Sequence, residues 1–259
     1  MVMKKVFLSV VFSFILLNVM ADVQYFYVAY STGVNIRKTA SLKSELLGKI
    51  PYGTKLSIAS ENIFKDSSII VDGMKGNWAL VTYQNKKGYI LDCYLLTIPP
   101  PKKGTKTMKD YFTQITSSFG QQLISKNGTQ SAITEGGLTI KKQLYKNGFE
   151  VHEVLGYEYN GNNYFIPDQS IESVFLILRQ IEDFNVVFNE KEPLPTESKK
   201  VKKTIAQESI DVEYIVEYER NIEPKLVKKI TANYSSGAYY SFEIFMIEGQ
   251  VVVSFSSGV

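Results

Sequence analysis

Glycine residues divide the chain between Val34 and Leu96 into short runs in which apolar and polar residues alternate. The four clearest runs are Val34-Asn35-Ile36-Arg37, Leu47 to Leu56, Gly76 to Val81 and Gly88 to Leu95. Alternation with a period of two is the pattern of a half-buried β-strand, and glycine permits tight turns between strands. Several short strands with frequent turns and a single tryptophan, Trp78, predict a small β-barrel.

Residues 25–96 resemble the bacterial SH3-like domain, usually called SH3b. The family's typical opening "LNVR" is similar to Val34–Arg37, and its "G…l..Gt.v" middle is similar to Gly48–Leu56. Its "GW..V" strand and "GW…YL" ending are similar to Gly76–Val81 and Gly88–Leu95. The resemblance implies a barrel that, in many relatives, binds cell-wall peptides or another protein.

Six residues at motif positions are the candidate ligand-binding residues that this resemblance implies: Asn35, Arg37, Tyr52, Trp78, Tyr89 and Tyr94. Aromatic side chains with a polar tip suit a partly hydrated peptide groove. Each also has a structural alternative, because Arg37 could anchor the following loop and Trp78 could fill the barrel core. Tyr89 stands where relatives usually carry a tryptophan.

The first 21 residues have the composition of a secretory signal peptide. Lys4 and Lys5 precede an apolar run, and Val19-Met20-Ala21 supplies a cleavage site. The alternative is an uncleaved membrane anchor, although the apolar run is short for a spanning helix. We therefore expect an exported protein, periplasmic or extracellular, with no membrane span after cleavage.

Charge argues against nucleic acid as a partner. Residues 1–21 contain Lys4 and Lys5 and no acid, so their removal lowers the formal net charge from +3 to +1. A nearly neutral protein has no overall field that attracts nucleic acid or anionic lipid. The expected partner is a cell-wall peptide or an envelope protein, and the sequence does not indicate an oligomeric state.

Residues 99–106 begin with three consecutive prolines, which are followed by two lysines and Gly104. This composition predicts a Pro-rich linker that follows a barrel over residues 22–98. Residues 107–259 predict an α+β domain with an antiparallel sheet and two helices, of no recognised family. The helices are expected from Met108 to about Leu123 and from Ile171, capped by Asp168 or Ser170, to about Phe184.

Asn-Gly pairs predict hairpin turns at 147–148 and 160–161, and Glu248-Gly249 predicts a third. The charged segment 190–203 predicts a solvated loop. Two strands should follow, at 211–219 and 225–234, the first with an acidic face and the second with lysines that pair across to it.

The sequence lacks the usual sets of catalytic residues. Cys93 is the only cysteine and His152 the only histidine, and they fall in different predicted domains, which argues against a Cys-His dyad and a zinc site. Cys93 is expected to be a buried small residue, with reactivity or pairing between chains as the alternative. We expect no cofactor and no metal.

These observations predict a mainly β protein with an N-terminal SH3-like β-barrel and a C-terminal α+β domain. The expected function is non-enzymatic binding in the bacterial envelope, with the barrel recognising cell-wall peptide or a protein partner. Two alternatives stay open. The C-terminal domain could carry the binding as a structural or interaction protein, or the 26 acidic residues could include the carboxylate pair of a wall hydrolase.

Overall fold

The computed structural model describes residues 23–127, 137–205, 208–219 and 226–258. Two small antiparallel sheets form the N-terminal barrel, and one nine-stranded antiparallel sheet with two helices forms the rest. The predicted fold class, mainly β with an SH3-like barrel and an α+β second half, is confirmed. Residues 1–21 lie outside the described residues, so the signal peptide stays a prediction.

The barrel consists of two sheets with strand orders β4-β1-β8 and β3-β2-β7-β6-β5. Their apolar side chains alternate inward as the sequence predicts, and Ile36, Ile50 and Ile90 are fully buried between the sheets. The strand bounds are β1 Val23–Val28, β2 Val34–Arg37, β3 Leu46–Ile50, β4 Lys55–Ala59, β5 Ile63–Val71, β6 Met74–Tyr83, β7 Lys86–Leu91 and β8 Leu95–Leu96. Short 3-10 helices span Ser60–Asn62 and Asp92–Tyr94.

The C-terminal half follows the order helix, four strands, helix, five strands. The sequence predicts three strands between the helices and four after the second helix, so each set has one strand more than predicted. Its sheet order is β13-β14-β15-β16-β17-β12-β11-β10-β9. The helices are α1 Met108–Ile115 and α2 Ile171–Leu178, and a 3-10 helix spans Glu182–Phe184. The strands are β9 Ser118–Asn127, β10 Leu138–Tyr145, β11 Glu150–Gly156, β12 Tyr159–Pro167, β13 Lys199–Ile205, β14 Glu208–Tyr218, β15 Val227–Ser235, β16 Tyr239–Ile247 and β17 Gln250–Gly258.

Helix α1 ends earlier than its apolar spacing predicts. Thr107 caps its start, and Thr107 and Asp110 form a reciprocal capping box. The prediction that the helix reaches Leu123 is wrong, because the residues from Ser118 onward form strand β9 and pair with β10. Phe119, the last residue of the supposed apolar stripe, is 61% exposed. Cross-strand hydrogen bonds therefore outweigh a weak local helical pattern.

Helix α2 is buried almost all round, as its sequence predicts. The Ser170 side chain accepts a hydrogen bond from the backbone N–H of Ser173, so Ser170 rather than Asp168 is the N-cap. Every residue from Val174 to Leu178 is buried. The helix ends at Leu178, before the predicted Phe184, where a separate 3-10 turn places Phe184 in the core.

One Asn-Gly pair forms a turn and the other does not. The Gly148 N–H donates to the Tyr145 carbonyl and Gly148 has a φ of 84°, which confirms the first hairpin. The turn predicted at Asn160-Gly161 is wrong, because both residues lie inside β12 opposite β11. That hairpin turns three residues earlier, at Tyr157-Glu158, and Glu158 takes the positive φ of 59°.

The segment 190–203 is a largely exposed loop as far as Ser198, as predicted, but Leu194 and Pro195 are buried and the residues from Lys199 form a strand. Leu194 is 2% exposed within the larger core, and β13 occupies the edge of the sheet from Lys199. The Lys203 ammonium binds the Glu192 carboxylate at 2.6 Å. The predicted strands at 211–219 and 225–234 appear as β14 and β15, with residues 220–225 outside the described part of the chain.

The barrel and the C-terminal half share one apolar cluster. Ala29, Met74 and Leu96 of the barrel belong to the same cluster of buried side chains as α1, α2 and the nine-stranded sheet. The Leu194 N–H donates to the Asp72 carbonyl at 2.9 Å at the tip of the β5–β6 hairpin. The two halves therefore pack directly against each other.

The proline segment between them is packed and does not stand free in solvent. Pro100 and Pro101 are buried. The hydroxyl of Tyr52, in the barrel, donates to the Pro101 carbonyl at 2.6 Å, and the hydroxyl of Tyr111, in α1, donates to the Pro99 carbonyl at 2.8 Å. Hydrogen bonds from both sides fix the course of this segment.

Candidate functional site

A groove lies on the outer face of the five-stranded barrel sheet. Strand β2 alternates, so that Val34 and Ile36 are buried while Asn35 is exposed and Arg37 is half-buried on the opposite side. The groove encloses about 220 Å³. Its lining residues are Tyr30, Thr32, Gly33, Val34, Asn35, Arg37, Leu42, Lys49, Val71, Trp78, Leu91 and Tyr94.

Trp78 and Leu91 form the apolar part of this groove. They are directly opposite each other on β6 and β7. Trp78 is only 3% exposed and Leu91 only 5%, yet neither belongs to the two clusters of buried side chains that form the protein's cores. The tryptophan therefore fills the groove side of the sheet, while its neighbour Ala79 points into the barrel core.

Two tyrosines form one wall of the groove. The rings of Tyr30 and Tyr94 are 4.6 Å apart between centroids, at an angle of 57°. The Tyr94 hydroxyl donates to the Asp72 carboxylate at 3.0 Å, and burial together with that carboxylate raises the pKa of Tyr94 far above its usual value. This wall is held in place and stays protonated near neutral pH.

Arg179, the residue that follows helix α2, lies behind the tyrosine wall. Its guanidinium carbon is 5.5 Å from the centre of the Tyr30 ring and 5.1 Å from the centre of the Phe175 ring. The side chain is 2% exposed, and its Nη2 donates to the Glu190 carbonyl. Burial lowers the pKa of Arg179. The C-terminal half thus supports one wall of the barrel groove.

The opposite end of the groove is polar and basic. Asn35 pairs directly with Lys49 across the β2–β3 ladder, so their side chains share the outer face. Arg37 donates through Nη1 to the Ser44 carbonyl at 2.9 Å, which fixes the loop between β2 and β3. Arg37 therefore anchors this loop, and it also lines the groove.

Four of the six candidate residues come together here: Asn35, Arg37, Trp78 and Tyr94 line the groove. Tyr52 lies elsewhere, with its hydroxyl on the proline segment. Tyr89 shares the outer face of the sheet, but its ring packs against Phe64 at 5.9 Å and does not line the groove.

Sequence reasoning missed several lining residues, of which Lys49, Tyr30 and Leu42 contribute most of the remaining chemistry. Lys49 could have been found only from the strand register, which places it opposite Asn35. Tyr30 and Leu42 lie in turns and loops, where side-chain direction does not follow from alternation.

Cys93 and His152 lie in different parts of the fold. Cys93 lies in the 3-10 helix after β7, and burial raises the pKa of its thiol to about 12. His152 lies half-buried in β11, where it contacts Glu150 and packs on Phe165 at 4.7 Å. Among the residues that the structure describes, no group of three or more His, Cys, Asp or Glu side chains could hold a metal ion.

Comparison with known families identifies the class of the barrel. Residues 32–95 match the family model described as Bacterial SH3 domain. This segment is therefore a bacterial SH3 domain, a class that typically binds the cell wall, and the rest of the chain has no family assignment. Comparisons of the chain with curated proteins and with solved structures give no match. No helix in the described ranges has the length and apolar content to cross a membrane.

Proposed function

We propose that this protein is an exported, non-enzymatic binding protein of the bacterial envelope. Its SH3 barrel uses the groove between Trp78, Tyr94 and Arg37 to bind a peptide of the cell wall. The observation that carries the proposal is the groove itself: a tryptophan that is buried outside both cores, bordered by a tyrosine pair and by basic and amide side chains. Such a mixture of aromatic and polar groups suits a partly hydrated peptide ligand.

The nature of the groove supports binding without catalysis. Its lining residues include no cysteine, histidine, aspartate or glutamate, the groups that most often act as acid, base or nucleophile. The raised pKa of Cys93 keeps its thiol protonated at neutral pH, which opposes a role as nucleophile.

A matched pair of leucine substitutions tests this proposal on the full chain of residues 22–259. Leu42 is 49% exposed and lines the groove, whereas Leu46 is 56% exposed and does not. We expect wild-type protein to be retained on purified bacterial sacculi. We also expect Leu42→Glu to lower retention at least about tenfold, because a buried or contacted apolar side chain contributes about 1.5–3 kcal/mol. Leu46→Glu should bind like the wild type.

Two results contradict the proposal. The first is no retention of the wild-type chain on sacculi, which removes the cell wall as the target. The second is equal retention of the two leucine variants, which moves the binding surface away from the groove. Hydrolysis of the sacculi by the purified protein would contradict the proposal that the protein is not an enzyme, whatever the two leucine variants show.

A further inference from the structure

The two ends of the groove differ in charge. Arg37 and Lys49 line one end, and no aspartate or glutamate is among the lining residues. At the other end, the Asp72 carboxylate accepts the hydrogen bond of the Tyr94 hydroxyl directly behind the groove wall. Behind the Tyr94 end, the buried Arg179 guanidinium opposes the charge of the Asp72 carboxylate, so the attraction for an anionic group lies at the Arg37–Lys49 end. The groove has a direction along which a charged ligand is oriented.

The basic end is equipped to bind a carboxylate. The Asn35 amide and the Lys49 ammonium lie side by side across the β2–β3 ladder, and both side chains are exposed. The bond from Arg37 Nη1 to the Ser44 carbonyl holds the guanidinium in place, and a guanidinium has five donor hydrogens in all. Fixed donors lose little conformational entropy on binding, and charge-assisted hydrogen bonds to carboxylates are about twice as strong as neutral ones.

The apolar end is built for a small side chain. Trp78, Leu91 and Val71 line it without a charged group. The whole groove encloses about 220 Å³, which is less than the ~300–1,000 Å³ typical of pockets that enclose larger ligands. A groove this small holds only a short part of a peptide, and the last residue of a peptide carries a carboxylate and a side chain side by side.

We propose that the groove binds the free C-terminal carboxylate of a peptide. The carboxylate lies between Asn35, Arg37 and Lys49, and the last side chain lies over Trp78 and Leu91. This inference rests on the proposed function, because it names the part of a peptide ligand that the same groove recognises. If the inference is right, the groove binds the free end of a peptide in preference to an acidic side chain within a peptide or to a neutral glycan.

Three synthetic peptides test the proposal on the full chain of residues 22–259. They are acetyl-Ala-Ala-Ala with a free carboxylate, the same peptide as its C-terminal amide, and acetyl-Ala-Glu-Ala amide, which carries an internal acid. Trp78 is the only tryptophan of the chain, so its fluorescence reports binding in the groove. We expect the free acid to bind at least about tenfold more tightly than either amide, since a hydrogen-bonded charge contributes about 1.5–3 kcal/mol.

Lysine variants provide the matched control. Lys49→Gln should weaken binding of the free acid about tenfold and leave the weak binding of the amide unchanged. Lys49→Arg should restore most of the affinity because it keeps the charge. Lys65→Gln makes the same charge change at an exposed position of β5 outside the groove and should have no effect. Urea midpoints of all three variants show whether each one is folded.

Equal binding of the free acid and its amide overturns the inference, and so does equal binding by Lys49→Gln and Lys65→Gln. Absence of binding by all three peptides overturns it as well. Tight binding of only the internal-acid peptide shows that the groove recognises a side-chain carboxylate instead. Retention of the protein on sacculi is measured separately, so each of these results can leave the proposed wall binding intact.

Discussion

Gly73 is the point at which the packing of the barrel against the C-terminal half can be measured. It forms the tip of the β5–β6 hairpin, with a φ of 75°. A Cβ at this position would lie 2.4 Å from the Leu194 carbonyl oxygen, and 3.2 Å from the Leu194 side chain. Gly53 has the same φ of 75° in another barrel turn, but a Cβ there meets nothing within 4 Å. Gly73→Ala and Gly53→Ala therefore differ in only one physical respect.

The expected magnitudes follow from two terms. A left-handed backbone costs an L-residue about 1–2 kcal/mol, and the lower entropy of the unfolded chain returns about 0.4–1 kcal/mol. Gly53→Ala should therefore lower the free energy of unfolding by about 0–1.5 kcal/mol. Gly73→Ala carries the same terms, and it also displaces Leu194 and breaks the bond from its N–H to the Asp72 carbonyl. We expect a loss of about 2–4 kcal/mol.

Urea unfolding of the full chain measures both values. Trp78 fluorescence follows the barrel, and far-ultraviolet circular dichroism follows the large sheet. In Gly73→Ala we expect a lower midpoint by both probes, because the hairpin contact stabilises one shared core. Equal losses in the two glycine variants would refute this reasoning and show that the hairpin tip contributes nothing to the packing of the two halves.

Three further predictions concern single groups in the fold. With a pKa of about 12, Cys93 should react with a thiol reagent at pH 8 at least about a thousandfold more slowly in the native protein than in urea, because only about one native thiol in ten thousand is ionised. Rapid labelling of the native protein would contradict the raised pKa. Burial raises the pKa of Tyr52, Tyr111 and Tyr164 above that of an unfolded tyrosine, so the native state holds these protons more tightly. The stability that these three tyrosines contribute is therefore complete below about pH 10. Above that pH the free energy of unfolding should fall by up to about 1.4 kcal/mol per group per pH unit. A free energy of unfolding that stays constant from about pH 9 to 11.5 would disprove this prediction. Phe112→Ala should lower the free energy of unfolding by about 3–5 kcal/mol, because Phe112 is fully buried against four other aromatic rings. Denaturant titration measures this loss, and a loss below about 1 kcal/mol would show that α1 contributes little to the core.

The barrel was predictable because its information is local. Alternating runs place Val34 and Ile36 inside and Asn35 and Arg37 outside, and glycines mark the turns. The groove was only half predictable. Strand alternation identifies Asn35, Arg37 and Trp78, but Lys49 joins them through a register that depends on pairing with another strand.

The C-terminal half shows why local patterns fail. Residues 118–123, predicted to continue helix α1, belong instead to strand β9, because β10 offers hydrogen bonds along most of its length. Asn160-Gly161 carries the signature of a turn and lies inside β12, because pairing with β11 on one side and β17 on the other fixes the register. In both segments, contacts distant in sequence outweigh the local preference.

The groove's role in the envelope is tested most directly by titrating the full chain with soluble peptides released from digested sacculi. Trp78 emission reports contact at the groove itself. The proposal predicts a saturable change in emission that is lost in Leu42→Glu and kept in Leu46→Glu. Retention of the protein on intact sacculi with no change in Trp78 emission at any peptide concentration would contradict it, because the wall would then be bound by another surface.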